Sequence, residues 1–440
     1  METKEIVDLC KRHTVFSWSA QKNVNPIAAD RAEGIYFWDA AGKRYIDFNS
    51  QLMCVNAGHN HPKIVAAVKA QADKLCFVFP GMATEPRARL GKLLDEVTPS
   101  HITKFFFTNG GAEANEAAIR AARLFTGRHK ILSRYRSYHG GTHGAMMLTG
   151  EPRRWPNEPG APGFVKVMDP VPYRYSFGET EEEQTKNNLT YLAEVIDMEG
   201  PQSIAAMFIE PVLGTNGILP PPKGYLAGLH ALLDQHGILL VCDEVMAGFG
   251  RTGKWFSFEH GGIKPDMICM AKGLTGAVLP LGALGISETI ASHFEENVFW
   301  SGLTYSSHPM GIAAAIAAVE VVRDEGLVDR AAQMQDVMLK HMAELAAKHP
   351  SVAHYRATGL FGAMDFRRNS QGDPLSEGYN VTHPAIGKLS AALLDKGLFT
   401  MARWSMLYCN PPLTITAEQM GEAFAIIDEC LGIIDEAFEG

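Results

Sequence analysis

The chain has 440 residues, of which 46% are hydrophobic and 20% charged, and its net charge is −9. That length exceeds what one simple core organises, so two or three globular domains are expected. The acidic balance and the lack of a lysine/arginine block argue against a nucleic-acid partner. The longest apolar helical stretch, Met310 to Val319, is closed by Glu320 and is too short to span a bilayer, so no membrane partner is expected.

The first residues, Met1-Glu2-Thr3-Lys4-Glu5, carry charges where a secretory signal needs an apolar segment, which points to a cytoplasmic protein. Gly34 to Asp39 and Lys43 to Phe48 read as two short strands joined by Ala40-Ala41-Gly42, a hairpin. From about residue 71 to 325 strands alternate with helices, the pattern of a largely parallel sheet. Lys104 to Thr108 is predicted as a strand and Ala112 to Thr126 as the helix after it. Further strands are predicted at Lys130 to Arg134, Ser203 to Glu210, Gly237 to Cys242, Asp266 to Met270 and Gly282 to Ile286. Residues 151 to 183 are rich in proline and turn formers and show no period; there, Thr180 and Glu183 fit a capping box opening a helix. Asp329 to Lys348 is predicted as a long amphipathic helix, Gly359 to Phe366 and Leu398 to Tyr408 as strands, and Ala417 to Phe438 as the last helix. The pattern gives an α/β fold. A large domain (71–325) is expected to hold a mostly parallel, seven-stranded sheet flanked by helices, six of whose strands are those just named, and a smaller α+β domain is built from both termini (1–70 and 326–440).

The seven cysteines are scattered, odd in number and without a CxxC, and read as buried thiols of a reducing compartment. His59-Asn60-His61 and His139 with His143 have ligand-like spacing, but no HExxH or cysteine partner accompanies them, so no metal site is expected.

Chemistry concentrates at the ends of two predicted strands. Asp243 ends the run Gly237 to Cys242, and Lys272 follows the run Asp266 to Met270, so an anion and an amine sit where open α/β sheets bind ligands. Pyridoxal phosphate requires that pair: its aldehyde condenses with a lysine, and its ring nitrogen needs a carboxylate to keep a proton there. The competing reading is a strand-end cap and a surface charge. Asn109-Gly110-Gly111-Ala112 joins a strand to a helix and offers backbone amides at a helix N-terminus, where a phosphate binds; an ordinary tight turn is the alternative. Tyr138, in Tyr138-His139-Gly140-Gly141, lies just past the next strand and could stack on a planar cofactor or pack in the core. Glu210 puts another acid at a strand end. The loop Gly248-Phe249-Gly250-Arg251-Thr252-Gly253 matches neither a Walker loop nor a dinucleotide fingerprint.

Taken together, Asp243-Glu244-Val245-Met246-Ala247-Gly248-Phe249-Gly250-Arg251-Thr252-Gly253 and Ala271-Lys272-Gly273 resemble the class III, or ω-amino acid, aminotransferases, which are fold type I pyridoxal-phosphate enzymes. The resemblance runs from about residue 14 to the C-terminus. It implies that Lys272 bonds the cofactor and then shuttles a proton, and that Asp243 pairs with the pyridinium nitrogen. Val245 and Tyr138 would cover the two ring faces. Glu210 would join the hydrogen bonds beside the ring, His139 would support Tyr138, and the amides of Gly111 and Ala112 would hold the phosphate. Thr304, in Leu303-Thr304-Tyr305, matches a position that reaches the phosphate of a neighbouring subunit, which implies a homodimer or homotetramer with shared active sites. Gly110 stands where many relatives have a serine, so one hydroxyl donor is lost.

Arg403, in Met401-Ala402-Arg403-Trp404, resembles the mobile arginine that binds an α-keto acid carboxylate in these enzymes and swings away for an amine without one. Trp18, Met53 and Phe79 are candidate pocket liners, with core packing as the competing reading for each; Met53 replaces a tryptophan found in several amine-accepting relatives. The pattern Lys396 to Thr400 with Arg403-Trp404 resembles taurine- or β-alanine-type transaminases. The reading is therefore a transaminase moving an amino group from an ω-amino acid or amine (β-alanine-, taurine- or GABA-like) to pyruvate or another α-keto acid. An aminomutase or lyase on the same scaffold, or a non-catalytic scaffold protein, are the alternatives. A distal anion on the donor calls for a fixed cation, which the sequence alone does not single out.

Overall fold

The computed structural model describes residues 1–172 and 175–440. Near the N-terminus β1 (Ala29–Glu33), β2 (Tyr36–Asp39) and β3 (Arg44–Asp47) form an antiparallel meander. The expected hairpin is its β2–β3 half: Gly42, at φ +86, turns the chain, and Phe37 stacks on Tyr45 across the register. Seven strands follow: β4 (Ile102–Thr108), β5 (Lys130–Arg134), β6 (Phe164–Val167), β7 (Ile204–Ile209), β8 (Leu239–Asp243), β9 (Met267–Met270) and β10 (Gly282–Ser287). They pair in the order β4-β10-β9-β8-β7-β5-β6, with β10 antiparallel to both neighbours and the rest running one way. Every residue of β7, β8 and β9 is buried, which is why these strands read as unbroken apolar runs. Along β8 the side chains alternate between two cores. Leu239 and Val241 pack under the helix Gly111–Thr126, while Leu240 and Cys242 pack on the opposite face with Leu226 and Leu229 of the helix Tyr225–Gln235.

The third layer of structure joins the chain ends. β11 (Val352–Thr358), β12 (Phe361–Phe366), β14 (Ala402–Arg403) and β15 (Met406–Cys409) make one sheet, and β13 (Leu398–Phe399) pairs in parallel with β3 of the N-terminal meander. The single strand predicted over Leu398 to Tyr408 is thus three short ones serving two sheets. Residue Trp404, at φ +58, sits in the turn between β14 and β15. The helix Pro309–Asp324 shows no polar face because it serves both cores. Ile312, Ile316 and Val319 face the large sheet, while Ala314, Ala317, Ala318 and Val322 face a core shared by Ile46, Phe48 and the final helix Ala417–Asp435.

Two other expectations meet the structure differently. The aperiodic segment 151 to 183 contains β6, an edge strand too short to show a period, and a 3₁₀ turn at Pro152–Asn157; the capping box at Thr180 and Glu183 forms as read. The cysteines are all free, but Cys76 is exposed and Cys10 and Cys54 are only partly covered. Among the described residues no helix is long and apolar enough to cross a membrane, and no cluster of His, Cys, Asp or Glu could hold a metal ion. His59 pairs instead with Asp47 (2.8 Å) and His61 with Glu325 (3.3 Å).

The glycine-rich loop 248–253 has a structural task. Its Arg251 is fully buried and reaches out of the large sheet's loops to donate to Ser50 Oγ and Asn56 Oδ1 (3.0 Å each), Leu360 O (3.1 Å) and Pro411 O (2.5 Å). Burial lowers its pKa to about 10, so it stays charged at neutral pH. One guanidinium ties three distant segments, and Gly253 and Gly359 pass close beside it: a Cβ on Gly359 would lie 2.4 Å from Thr252 C. Arg251→Ala is expected to lower unfolding free energy by about 3–5 kcal/mol, because it leaves a cavity and takes the donor from three buried oxygens, Asn56 Oδ1, Leu360 O and Pro411 O. Denaturant unfolding checks this, with a loss below about 1 kcal/mol counting against the pin.

Candidate active site

The carboxyl ends of β4, β5, β7, β8 and β9 converge on a cavity of about 430 Å³, of the size that encloses a small ligand. Asp243, the last residue of β8, lies in its buried floor. Its Oδ2 accepts from Asn115 Nδ2 (2.8 Å) and lies 2.7 Å from His139 Nδ1, and its Oδ1 accepts from Val245 N (3.0 Å). A carboxylate can only accept, so Nδ1 of His139 carries the proton in that contact. Asn115 also donates to His139 O (2.8 Å), which locks the two supports together. His139 therefore braces the acid rather than Tyr138.

Lys272 follows β9 in the left-handed region, at φ +47, on the 3₁₀ turn Lys272–Leu274. The backbone beside it is tightly seated: a Cβ on Gly273 would meet Asn56 Nδ2 at 2.5 Å. Burial pushes the Lys272 amine below the ordinary lysine range, opposed by the charges of Cys54, Asp243 and Glu210. Glu210, directly after β7, accepts from Tyr138 N (2.9 Å) and Gly214 N (2.8 Å), and burial raises its pKa.

Opposite the acid, Asn109 to Ala112 form one wall and open the helix Gly111–Thr126, which has no side-chain cap. Its first amides are thus left for an anion. Gly111 is required by contact, since a Cβ there would lie 2.7 Å from Val245 Cγ2. Gly110 is not: its φ of 177 is extended backbone, and nothing lies within 4 Å of where a Cβ would be.

Eight of the residues singled out from sequence line this cavity together: Gly111, Ala112, Tyr138, His139, Glu210, Asp243, Val245 and Lys272. Trp18 stands at its rim, 65% exposed, with its ring edge-on to Tyr138 at 6.4 Å. Arg403, the last residue of β14, pairs with buried Glu151 at 2.9 Å. Met53 is 2% exposed and packs with Met246, Phe361 and Tyr408, so it is a core residue behind the cavity wall. Thr304 and Phe79 are exposed and lie outside the lining of this chain's cavity.

Four contributors escaped sequence reading. Asn115 falls one helical turn into an alanine-rich helix, a place where a buried polar residue was the available signal. Thr215 lines the cavity. Glu151 and Arg153 sit in the aperiodic segment, where no pattern assigned them a face. The Arg153 guanidinium lies 3.5 Å above the Tyr138 ring and 5.2 Å from that of Trp18, donates to Thr215 Oγ1 (3.2 Å) and forms an ion pair with Glu151.

The class-III aminotransferase family model matches residues 18–431. This chain is a class-III aminotransferase. The solved taurine:2-oxoglutarate aminotransferase of Bifidobacterium kashiwanohense, in complex with PLP and glutamate, is 40% identical, covers 99% of both chains and superposes with a TM-score of 0.96. The taurine–pyruvate aminotransferase of Bilophila wadsworthia is 30% identical over 99% of this chain and 97% of its own. The mitochondrial gamma-aminobutyrate transaminase 1 of Oryza sativa subsp. japonica is 33% identical over 94% of this chain and 83% of its own. Class-III aminotransferases use pyridoxal phosphate. The cavity fits it: an anion-seeking helix end at one wall, a buried acid at the floor and an amine between. When bound, the cofactor supplies an aldehyde for an amine and a protonated ring that draws electrons from the substrate carbon.

Two outcomes are expected of this class-III aminotransferase. Gly110→Ser, which the open space and extended backbone accept, adds a hydroxyl donor and should slow cofactor release during dialysis, followed by its absorbance. Because the Lys272 pKa is lowered on folding, the cofactor-free protein binds fewer protons than its unfolded chain between that lowered value and 10.5, and gains stability as pH rises through this window. Lys272→Met should flatten that rise in pH-dependent denaturation curves.

Proposed function

We propose that this aminotransferase takes its amino group from a short ω-amino acid whose far end is an anion, a sulfonate as in taurine or a carboxylate as in β-alanine, and passes it to an α-keto acid. The observation that carries this reading is Arg153. It is a cation beside the cavity, held by the Tyr138 and Trp18 rings, Thr215 and Glu151, and therefore fixed in place. A fixed guanidinium matches a carboxylate or sulfonate with two parallel hydrogen bonds. The relatives named for taurine support the same donor class.

In this reading Lys272, reaching its neutral form through burial, bonds the cofactor aldehyde and moves the proton at the amine-bearing carbon of the substrate. Asp243, braced by His139 and Asn115, holds the proton on the ring nitrogen. Val245 and Tyr138 cover the two ring faces, Glu210 fixes the Tyr138 backbone, and the Gly111 and Ala112 amides hold the phosphate. Arg403 binds the α-carboxylate of the keto acid. Trp18 borders the donor's path. Thr304 and Phe79, exposed here, are assigned to the active site of a second copy, which makes the working unit a homodimer or a homotetramer of such pairs. The chain divides near residues 70 and 325, the termini forming one small domain, and it acts in the cytoplasm.

Purified enzyme given pyruvate or 2-oxoglutarate against a panel of amines, with alanine or glutamate formation as readout, identifies the acceptor and donor. Arg153→Ala is expected to raise KM for taurine and β-alanine by about tenfold or more, and to leave an uncharged amine of equal length nearly unaffected. An unchanged KM for the anionic donors would remove the basis of this assignment.

A further inference from the structure

A second cavity, of about 350 Å³, lies outside the site described above. That volume falls within the range of small-ligand pockets. One wall belongs to the C-terminal sheet: Ala353, His354 and Arg356 of β11, Asp365 and Phe366 of β12, and Met406 of β15. The facing wall is Arg136, two residues past β5, with Val171 and Leu219. Tyr379 and Trp404 add two rings whose centroids lie 5.9 Å apart.

The charges on these walls do not cancel. Arg356 is matched: Asp365 accepts from its Nη1 (2.6 Å) and Nη2 (3.0 Å), and Gly217 O and Ile218 O accept from its Nε at 2.9 and 2.8 Å. Arg136 is not. Its Nη1 donates to Val171 O (3.2 Å) and its Nη2 to Asn216 O (2.6 Å), both neutral carbonyls. Asp169 holds the backbone N of Arg136 (2.8 Å), and among the described residues no carboxylate pairs with the guanidinium. Two arginines against one aspartate leave a surplus cation before His354 is counted. Burial works against that charge and lowers the Arg136 pKa, so an anion beside it is favoured.

The cavity also touches both arms of the active site. On one side Arg136 and Arg356 grip the carbonyls of Asn216, Gly217 and Ile218. These directly follow Thr215, whose Oγ1 accepts from Arg153 and whose O accepts from Tyr408 (2.7 Å). On the other side the Trp404 ring carries the Arg403 guanidinium at 4.1 Å. Ser376 ties down the turn of Trp404: its Oγ donates to Trp404 O and its N to Ser405 Oγ, at 2.8 Å each.

We propose that this second cavity binds a small aromatic carboxylate as an effector of the aminotransferase. Its carboxylate pairs with Arg136, and its flat body lies along Tyr379, Trp404 and Phe366. A neutral ligand leaves the guanidinium unmatched, and a bare inorganic anion leaves the rings uncovered. The bound anion stands behind Trp404, on whose ring Arg403 rests, and weakens the pull of Arg403 on a keto acid's carboxylate. The site itself does not depend on the proposed donor. Only its effect on the keto acid rests on the role given to Arg403 under the proposed function.

Phenylacetate serves as the probe, followed by calorimetry on the holoenzyme and by its effect on amino transfer to pyruvate or 2-oxoglutarate. It should bind with a Kd of about 1 mM or tighter, and raise the keto-acid KM to a ceiling of about fivefold. Absence of binding would overturn the proposal. So would a KM that climbs without a ceiling, which marks a competitor lodged at Arg403 itself. Ala353→Phe fills the cavity from β11 and should abolish both binding and the KM effect, with amino transfer unchanged when no probe is present. Persistence of both in that variant counts against the site. If Ala353→Phe folds poorly, His354→Asp, at an exposed position of β11, places an anion on the wall and should weaken binding about tenfold. Unaltered affinity there is equally adverse. Binding that is lost in these variants but never moves KM would uphold the site and overturn its action on Arg403.

Discussion

The site depends on keeping one carboxylate in one orientation at the buried end of β8. Asp243 is held by donors from three separate segments: Asn115 in the helix after β4, His139 after β5, and Val245 in its own loop. Each donor follows a strand of the large sheet, β4, β5 or β8, and the order of those strands brings all three within 3.0 Å of the acid. A buried acid with fewer partners would carry a desolvation penalty that invites rearrangement. The sheet therefore acts as a frame that converts strand order into the geometry of one anion, with Lys272 brought alongside by the neighbouring β9.

A second frame operates around the rim. There the charges are cationic, and their order comes from rings and a carboxylate rather than from strands. Arg153 lies between Tyr138 and Trp18, and Arg403 lies on Trp404, with Glu151 between them. The two frames meet at Tyr138. Its backbone is fixed by Glu210 while its ring carries Arg153, so the cavity wall and the rim cation share one side chain. The large and small cores meet in turn through Arg251 and through the helix Pro309–Asp324, which is apolar all round because both of its faces are covered.

The strands that carry the chemistry were legible because burial on both faces leaves an unmistakable apolar run, as in β7, β8 and β9. Their end residues Glu210, Asp243 and Lys272 stood out against those runs. β6 was not legible, since four residues at a sheet edge with mixed burial carry no period. Nor were the three short strands within 398 to 409, where one apolar stretch is divided between two sheets. Met53 had the composition of a pocket residue and the fate of a core residue, a choice made by Met246, Phe361 and Tyr408 packing against it.

The order of chain elements, the glycines that open the helix after β4, and the acid and amine at strand ends follow from the amino-acid sequence itself, because they express local periodicity and the chemistry of single side chains. The partners of those side chains do not. That His139 braces Asp243, that Arg251 pins three distant segments, and that Glu151 stands between Arg153 and Arg403 were decided by the tertiary structure. Each is a contact between residues far apart in the chain, and burial sets its strength and long-range packing its geometry, neither of which is encoded in the spacing of neighbouring residues.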